Sequence, residues 1–205
     1  GDEARRPGAG GGVALRAVVF DVGEALDDET GIWERAADRA GVPRFTLMGL
    51  LGGLAARGEP HARAWEILGV EPPASTWSPE DFYPDALPCL EALRGRGLAV
   101  GAVGNTPAEA EELLREHVDL IGSSGRWGVE KPAAAFFERV LDEVGFAPDE
   151  VAYVGDRVDN DVRPAIDAGL VAVHVRRGPW GHLFDAPPRA VLIRSLAELP
   201  EALGA

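Results

Sequence analysis

Short unbroken apolar runs alternate along this chain with longer stretches in which apolar residues recur at helical spacing. The first kind reads as buried strand and the second as amphipathic helix. Strands are expected near 13–20, 98–104, 118–122, 151–154 and 171–175, with an edge candidate at 190–193. Helices expected near 86–96, 107–116, 133–145 and 161–168 alternate with them. That alternation predicts an α/β fold, a three-layer Rossmann-like parallel sheet covered by helices on both faces.

The pattern changes between about 29 and 82, where strand signals vanish. Ile32, Trp33, Ala36, Ala37 and Ala40 share one helical face, and Gly41-Val-Pro43 ends the run. Phe45, Leu47, Met48, Leu50, Leu51 and Leu54 populate a second helix, and His61 to Leu68 makes a third candidate. Ser78-Pro-Glu-Asp81 has the form of another helix start. The chain thus divides into three parts: a flexible Gly-rich tail at 1–12, a core built from 13–28 and 83–205, and a small helical domain at 29–82 inserted after the first strand. Trp33, Met48 and Trp65 read as the interior of that insert rather than as a substrate cage, and His61 as a solvent-facing residue, with an acid or base facing the active site as its alternative.

The chemistry sits where strands end. Ala17-Val-Val-Phe20 breaks into Asp21-Val-Gly-Glu24, and Val151-Ala-Tyr-Val-Gly155 into Asp156-Arg-Val-Asp-Asn-Asp161. In an open parallel sheet the carboxyl edge is where ligands bind. Carboxylates gathered there repel one another unless a cation joins them, and oxygen ligands with open positions suit Mg²⁺. Leu98 to Gly104 reads as a strand leading into Asn105-Thr106-Pro107. Thr106 is the expected N-cap, with Pro107 at the first helical position and Glu109 completing a capping box. A helix start on this edge offers free N–H groups to phosphate. Lys131, ahead of Pro132 and a further helix, adds a cation.

An Asp after the first strand, Asn-Thr after the second, Lys-Pro before a helix and Gly-Asp-x-x-x-x-Asp after a later strand, in that order, resemble the haloacid dehalogenase-like hydrolase superfamily. The resemblance covers about residues 13 to 199. It implies that the 29–82 insert is the small helical, C1-type cap of one large branch. It further implies a Mg²⁺-dependent phosphatase of small phosphorylated metabolites, with Asp21 as the nucleophile that becomes an aspartyl phosphate. Asp21, Asp156 and the Gly23 carbonyl would hold the metal, Asn105, Thr106 and Lys131 the phosphate, and Asp161 would sit behind them holding Lys131 or a metal-bound water.

Two positions depart from the resembled pattern. Gly23 stands where phosphatases of the superfamily carry an Asp that serves as general acid and base, which contributes on the order of 10²–10⁴-fold. Glu24, a cap residue or water would have to replace it. Gly104 stands where Ser or Thr usually precedes Asn105. These departures leave two alternatives: a metal-independent 2-haloacid dehalogenase, whose halide needs no leaving-group acid, or a binding protein that uses the fold without turnover. Arg176 and Arg177 are candidates for an anionic ligand in the second alternative, although a surface loop packed on Trp180 accounts for them more simply.

Composition narrows the partners. Of 205 residues, 46% are hydrophobic, enough for a sizeable core. The 34 acidic against 20 basic residues give a net charge of −14, which argues against nucleic acid and anionic membrane as partners. No apolar run reaches the roughly 20 residues of a membrane span and no secretory signal opens the chain, so a cytoplasmic location is expected. The single Cys89 sits on the apolar face of a helix and reads as a packed small hydrophobe. Nothing in the sequence fixes an oligomeric state.

Overall fold

The computed structural model describes residues 14–204, so the tail expected at 1–12 lies outside the described residues. Six strands form: β1 (Ala17–Phe20), β2 (Ala99–Gly104), β3 (Leu120–Ser123), β4 (Val151–Gly155), β5 (Val171–Val175) and β6 (Val191–Ile193). They make one sheet in the order β3-β2-β1-β4-β5-β6, and every neighbouring pair is parallel. The expected edge strand at 190–193 is therefore present, as β6.

Strand β1 lies between β2 and β4, so both of its faces must be apolar, and Ala17 to Phe20 are all buried. Alternate side chains enter opposite layers. Val18 and Phe20 join Ala152 and Val154 of β4 under α4 (Ala86–Gly95), which contributes Cys89, Leu90 and Leu93. Ala17 and Val19 join Val151 and Tyr153 under α7 (Ala134–Val144), which contributes Phe136, Phe137 and Val140. Each buried Val, Leu or Phe side chain contributes about 1.5–3 kcal/mol. Burial pushes the Cys89 thiol up to about 12, as befits packing rather than chemistry.

The segment between β1 and β2 begins with α1 (Thr30–Ala40), α2 (Arg44–Ala56) and α3 (Arg63–Leu68). Ala36, Ala37, Leu47, Leu51, Leu54 and Trp65 form a separate small core, with Trp33 and Met48 packed against it. Helix α2 is apolar on nearly all sides and leaves Phe45 90% exposed. The helix start expected at Ser78 is a 3₁₀ turn over Pro79–Asp81, in which Ser78 N–H donates to Asp81 Oδ2 at 2.9 Å.

Three expected helix starts are displaced. The run at 107–116 is a 3₁₀ turn over Ala108–Ala110 followed by α5 (Glu111–Leu114), and Thr106 does not cap it. Pro107 is extended, and the Thr106 carbonyl accepts from Gly125 N–H of α6 (Ser124–Trp127) at 3.1 Å, which turns the chain away from helix. Pro132 lies in a turn, and α7 begins two residues later. The run at 161–168 opens as a wide π turn over Val158–Val162 before α8 (Arg163–Asp167). Asp161 and Val162 N–H share the Arg157 carbonyl there, at 2.9 and 3.1 Å, and Pro164 has no N–H for an ordinary helical bond. Turns of this kind cluster at functional sites.

The chain closes with α9 (Gly178–Leu183), which packs on α2, and α10 (Leu199–Ala202). No helix among the described residues is long and apolar enough to cross a membrane.

Candidate active site

From β1 the chain builds outward to β2 and β3 on one side, then returns to lay down β4, β5 and β6 on the other. The carboxyl ends of β1 and β4 therefore flank the point where winding reverses, which is where open α/β sheets open a crevice. Asp21 directly follows β1, Asn105 follows β2 and Asp156 follows β4.

Asp21 is held by main chain on both sides. Its N–H donates to the Val154 carbonyl at 2.8 Å, and its Oδ1 accepts from Val22 N–H at 2.8 Å. The same Oδ1 lies 2.6 Å from Lys131 Nζ, which reaches Asp161 Oδ1 at 2.6 Å on its other side. Asp161 Oδ2 accepts from Arg157 N–H at 3.0 Å, so both of its oxygens are committed. Gly155 makes room for this, because a side chain there would overlap Asp161. Burial opposes the Lys131 charge, but Asp161 and Asp21 outweigh it and hold its pKa well above the ordinary value. Asn105 clamps Lys131 from outside: its Nδ2 donates to the Lys131 carbonyl at 2.9 Å and its Oδ1 accepts from Lys131 N–H at 2.8 Å.

Asp156 differs from its neighbours. It is buried, yet Oδ2 has no hydrogen-bond partner among the described residues. Burial first, then Asp161 and Asp21, push its carboxyl well above the usual range. Oxygens of Asp21, Asp156 and Asp161 lie within 4.8 Å of one another, and the Gly23 carbonyl accepts no hydrogen bond from the described residues. An unpaired buried carboxylate is costly, and a hard cation held by Asp21, Asp156 and the Gly23 carbonyl would remove that cost. His174, inside the apolar β5 run, fixes the loop: Nε2 donates to the Asp156 carbonyl at 2.9 Å.

These groups open onto a cavity of about 820 Å³ whose opposite wall carries Trp33, His61, Trp65 and Trp77. Asp21, Gly23, Asn105, Thr106, Lys131 and Asp156 all line it, and Asp161 stands behind them. Trp33 and Trp65 thus serve the small core and the cavity wall at once, and His61, exposed elsewhere, turns an edge to Trp33 at 5.5 Å between ring centroids.

Sequence reasoning overlooked Arg157, His174 and Glu29. Arg157 lines the cavity, pairs with Asp159 at 2.8 Å and lies over the Trp180 ring at 5.4 Å. Its signal was its place directly after Asp156. Arg176 and Arg177 are structural: Arg177 grips Asp85 through two bonds, at 3.1 and 2.6 Å, stacked 4.1 Å from the Tyr83 ring, and Arg176 pairs with Asp185 at 3.2 Å. Glu24, buried with φ of 55°, accepts from Tyr83 Oη at 2.6 Å and from Glu29 N–H at 3.0 Å. Burial raises its pKa. Glu29 enters the cavity beside it, with Oε2 accepting from Trp33 Nε1 at 3.0 Å. Burial and the Glu24 charge push its carboxyl up to about 7.

The sequence profile of the haloacid dehalogenase-like hydrolases matches residues 15–169, and the chain belongs to that family. It is 33% identical over 123 residues to the glyceraldehyde 3-phosphate phosphatase of Methanocaldococcus jannaschii, covering 57% of this chain and 54% of that protein. It is 40% identical over 103 residues to the phosphoserine phosphatase of Thermus thermophilus, covering 47% and 41% respectively. The chain thus spans about half the length of the curated relatives it matches. Its fold is shared by L-2-haloacid dehalogenase from Xanthobacter autotrophicus, with a TM-score of 0.69, 18% identity, and coverage of 94% of this chain and 99% of that one.

Proposed function

We propose that this protein is a Mg²⁺-dependent hydrolase of small phosphoric monoesters that works through an aspartyl phosphate on Asp21. The observation that carries this reading is the buried carboxylate set, in which Asp156 Oδ2 is left without a partner while Lys131 balances Asp21 and Asp161. Asp21, Asp156 and the Gly23 carbonyl would hold the metal. When bound it offsets charge on the phosphoryl oxygens. The phosphatase names of relatives at 33–40% identity support the same class.

The protein's own residues supply the rest. Lys131 and Asn105 bring positive charge and an amide to the phosphoryl group, and the Asp161 contact keeps the ammonium aimed at it. The Asp21 oxygen attacks phosphorus in line, and one hard displacement becomes two easier ones. The helices at 29–82 act as a cap whose tryptophans exclude water from the cavity. Substrates are small enough for a cavity of about 820 Å³, and Arg157 offers them a second anionic contact.

Gly23 and the shared dehalogenase fold keep one competing reading in view, attack of Asp21 on a 2-haloacid without metal. Release of phenolate from an activated aryl phosphate, with Mg²⁺ and with EDTA, separates the two. Turnover that needs Mg²⁺ and is lost in Asp21→Asn is the expected result. Absence of such turnover, together with halide release from 2-chloropropionate in EDTA, would replace the phosphatase by the dehalogenase.

A further inference from the structure

The Gly23 position, between the candidate nucleophile and the cap segment, has no side chain, and yet the space beside it is filled. A Cβ built on Gly23 would fall 2.9 Å from Glu29 Cδ and would overlap Oε1. The Glu29 carboxyl therefore occupies the volume that a side chain at position 23 would take. Oε2 is tied to Trp33 Nε1 at 3.0 Å, whereas Oε1 accepts no hydrogen bond from the described residues and no cation pairs with either oxygen. The carboxyl lines the same cavity as Asp21 and Lys131. Glu24, the neighbouring alternative, has both oxygens engaged, by Tyr83 and by the Glu29 N–H.

We propose that Glu29, reaching back from the start of the cap segment into the space left by Gly23, is the proton-transfer group of this site. The proposal rests on the phosphomonoester reading above. In the first step the Asp21 oxygen forms a bond to phosphorus, the bond from phosphorus to the ester oxygen breaks, and the Glu29 proton passes to that oxygen as the alcohol leaves. In the second, Glu29 takes a proton from water as the water oxygen attacks phosphorus. The bond from phosphorus to Asp21 then breaks, which releases phosphate and restores both side chains. The Trp33 bond orients the carboxyl, and Gly23 is required because any larger residue displaces it.

The two steps have separate readouts. Comparison of kcat/KM for an activated aryl phosphate and an alkyl phosphate in Glu29→Gln reads the first, because only the alkoxide leaving group needs an acid. The alkyl ester should lose about 10²-fold or more and the aryl ester several-fold less. The kcat values of both esters should converge on one slow rate, because the shared intermediate awaits its base. A second variant, Gly23→Asp combined with Glu29→Ala, should regain part of the alkyl activity, whereas Gly23→Asp alone collides with Glu29 and should not. Thermal unfolding checks that each variant is folded. Equal losses of kcat/KM for both esters in Glu29→Gln, or no loss in either, would overturn the role of Glu29 while leaving the hydrolase reading intact. Failure of the unaltered protein to turn over either ester with Mg²⁺ would overturn that reading and this one with it.

Discussion

Asp161 and Asp27 are both 0% exposed, but they live in opposite electrostatic surroundings. Asp161 shares Lys131 with Asp21 and receives a main-chain N–H, so both of its oxygens are bonded, and burial and the Asp21 charge raise its carboxyl only to about 6. Asp27 has no partner for either oxygen among the described residues, and burial first, then Glu29 and Asp81, push its carboxyl up to about 8. The sheet edge therefore bonds both oxygens of its buried Asp161, while the segment after β1 leaves Asp27 to be neutralised by exclusion. One residue type is held by a cation in the first place and carries a proton in the second.

The sharpest way to break that contrast is to remove the cation. Lys131→Met leaves Asp21 and Asp161 facing each other without compensation. Breaking a buried pair costs about 3–5 kcal/mol, and loss of charge beside the phosphoryl group costs about 10²–10³-fold in kcat. Chemical denaturation and aryl phosphate kinetics measure the two. A variant of unchanged stability would mean that Lys131 does not carry the balance assigned to it.

Asp156 stands between the two cases, buried like Asp27 but beside the paired set. Its raised pKa means that the folded protein without metal binds a proton that the unfolded chain releases. The stability from this group is present below the usual carboxylate pKa and fades as pH rises through the raised one. Mg²⁺ held by Asp156 would compete with that proton, so its binding should strengthen with pH, and the rise in Tm on adding Mg²⁺ should grow. Asp156→Asn should be about 1–3 kcal/mol more stable than the unaltered protein without metal at alkaline pH and should show no Mg²⁺ response. A full Mg²⁺ response in the variant, followed by thermal unfolding, would remove Asp156 from the ligand set.

The smallest effect is expected at Asp27. Its folded pKa, about 8, lies above the usual 3.8, so its stabilising contribution is complete below the lower value and is lost as pH rises through the higher. Asp27→Asn abolishes the titration and should flatten the decline of unfolding free energy from about pH 6 to pH 9, by about 2 kcal/mol. Parallel declines in the two proteins would place the alkaline titration elsewhere.

The paired half of this contrast was legible in the sequence, because strand ends locate themselves. Apolar runs end at Phe20 and Gly155, and the residues directly after them, Asp21 and Asp156, must lie on the carboxyl edge. Lys131 and Asp161 are found from motif order. The neutral half was not legible. Glu29 is eight residues from Asp21 in a stretch with no periodicity, and its return to Gly23 depends on the turn of the chain between Val22 and Asp27, where Leu26 and Asp27 N–H both bond the Val22 carbonyl at 2.9 and 3.0 Å. His174 was hidden inside an apolar strand. The helix start at 107 failed because a local capping signal was overruled by a distant segment, Gly125 taking the Thr106 carbonyl, whereas the one at 161 was shifted by its own turn, in which Asp161 and Val162 N–H share the Arg157 carbonyl.

The account rests on Asp21 accepting the phosphoryl group, and borohydride trapping tests this most directly. Protein mixed with an aryl phosphate and Mg²⁺, then quenched into borohydride, should carry homoserine at position 21 by peptide mass spectrometry. The modification should be absent with EDTA and in Asp21→Asn. Phosphate release without modification at that position, or full turnover by Asp21→Asn, would contradict the account.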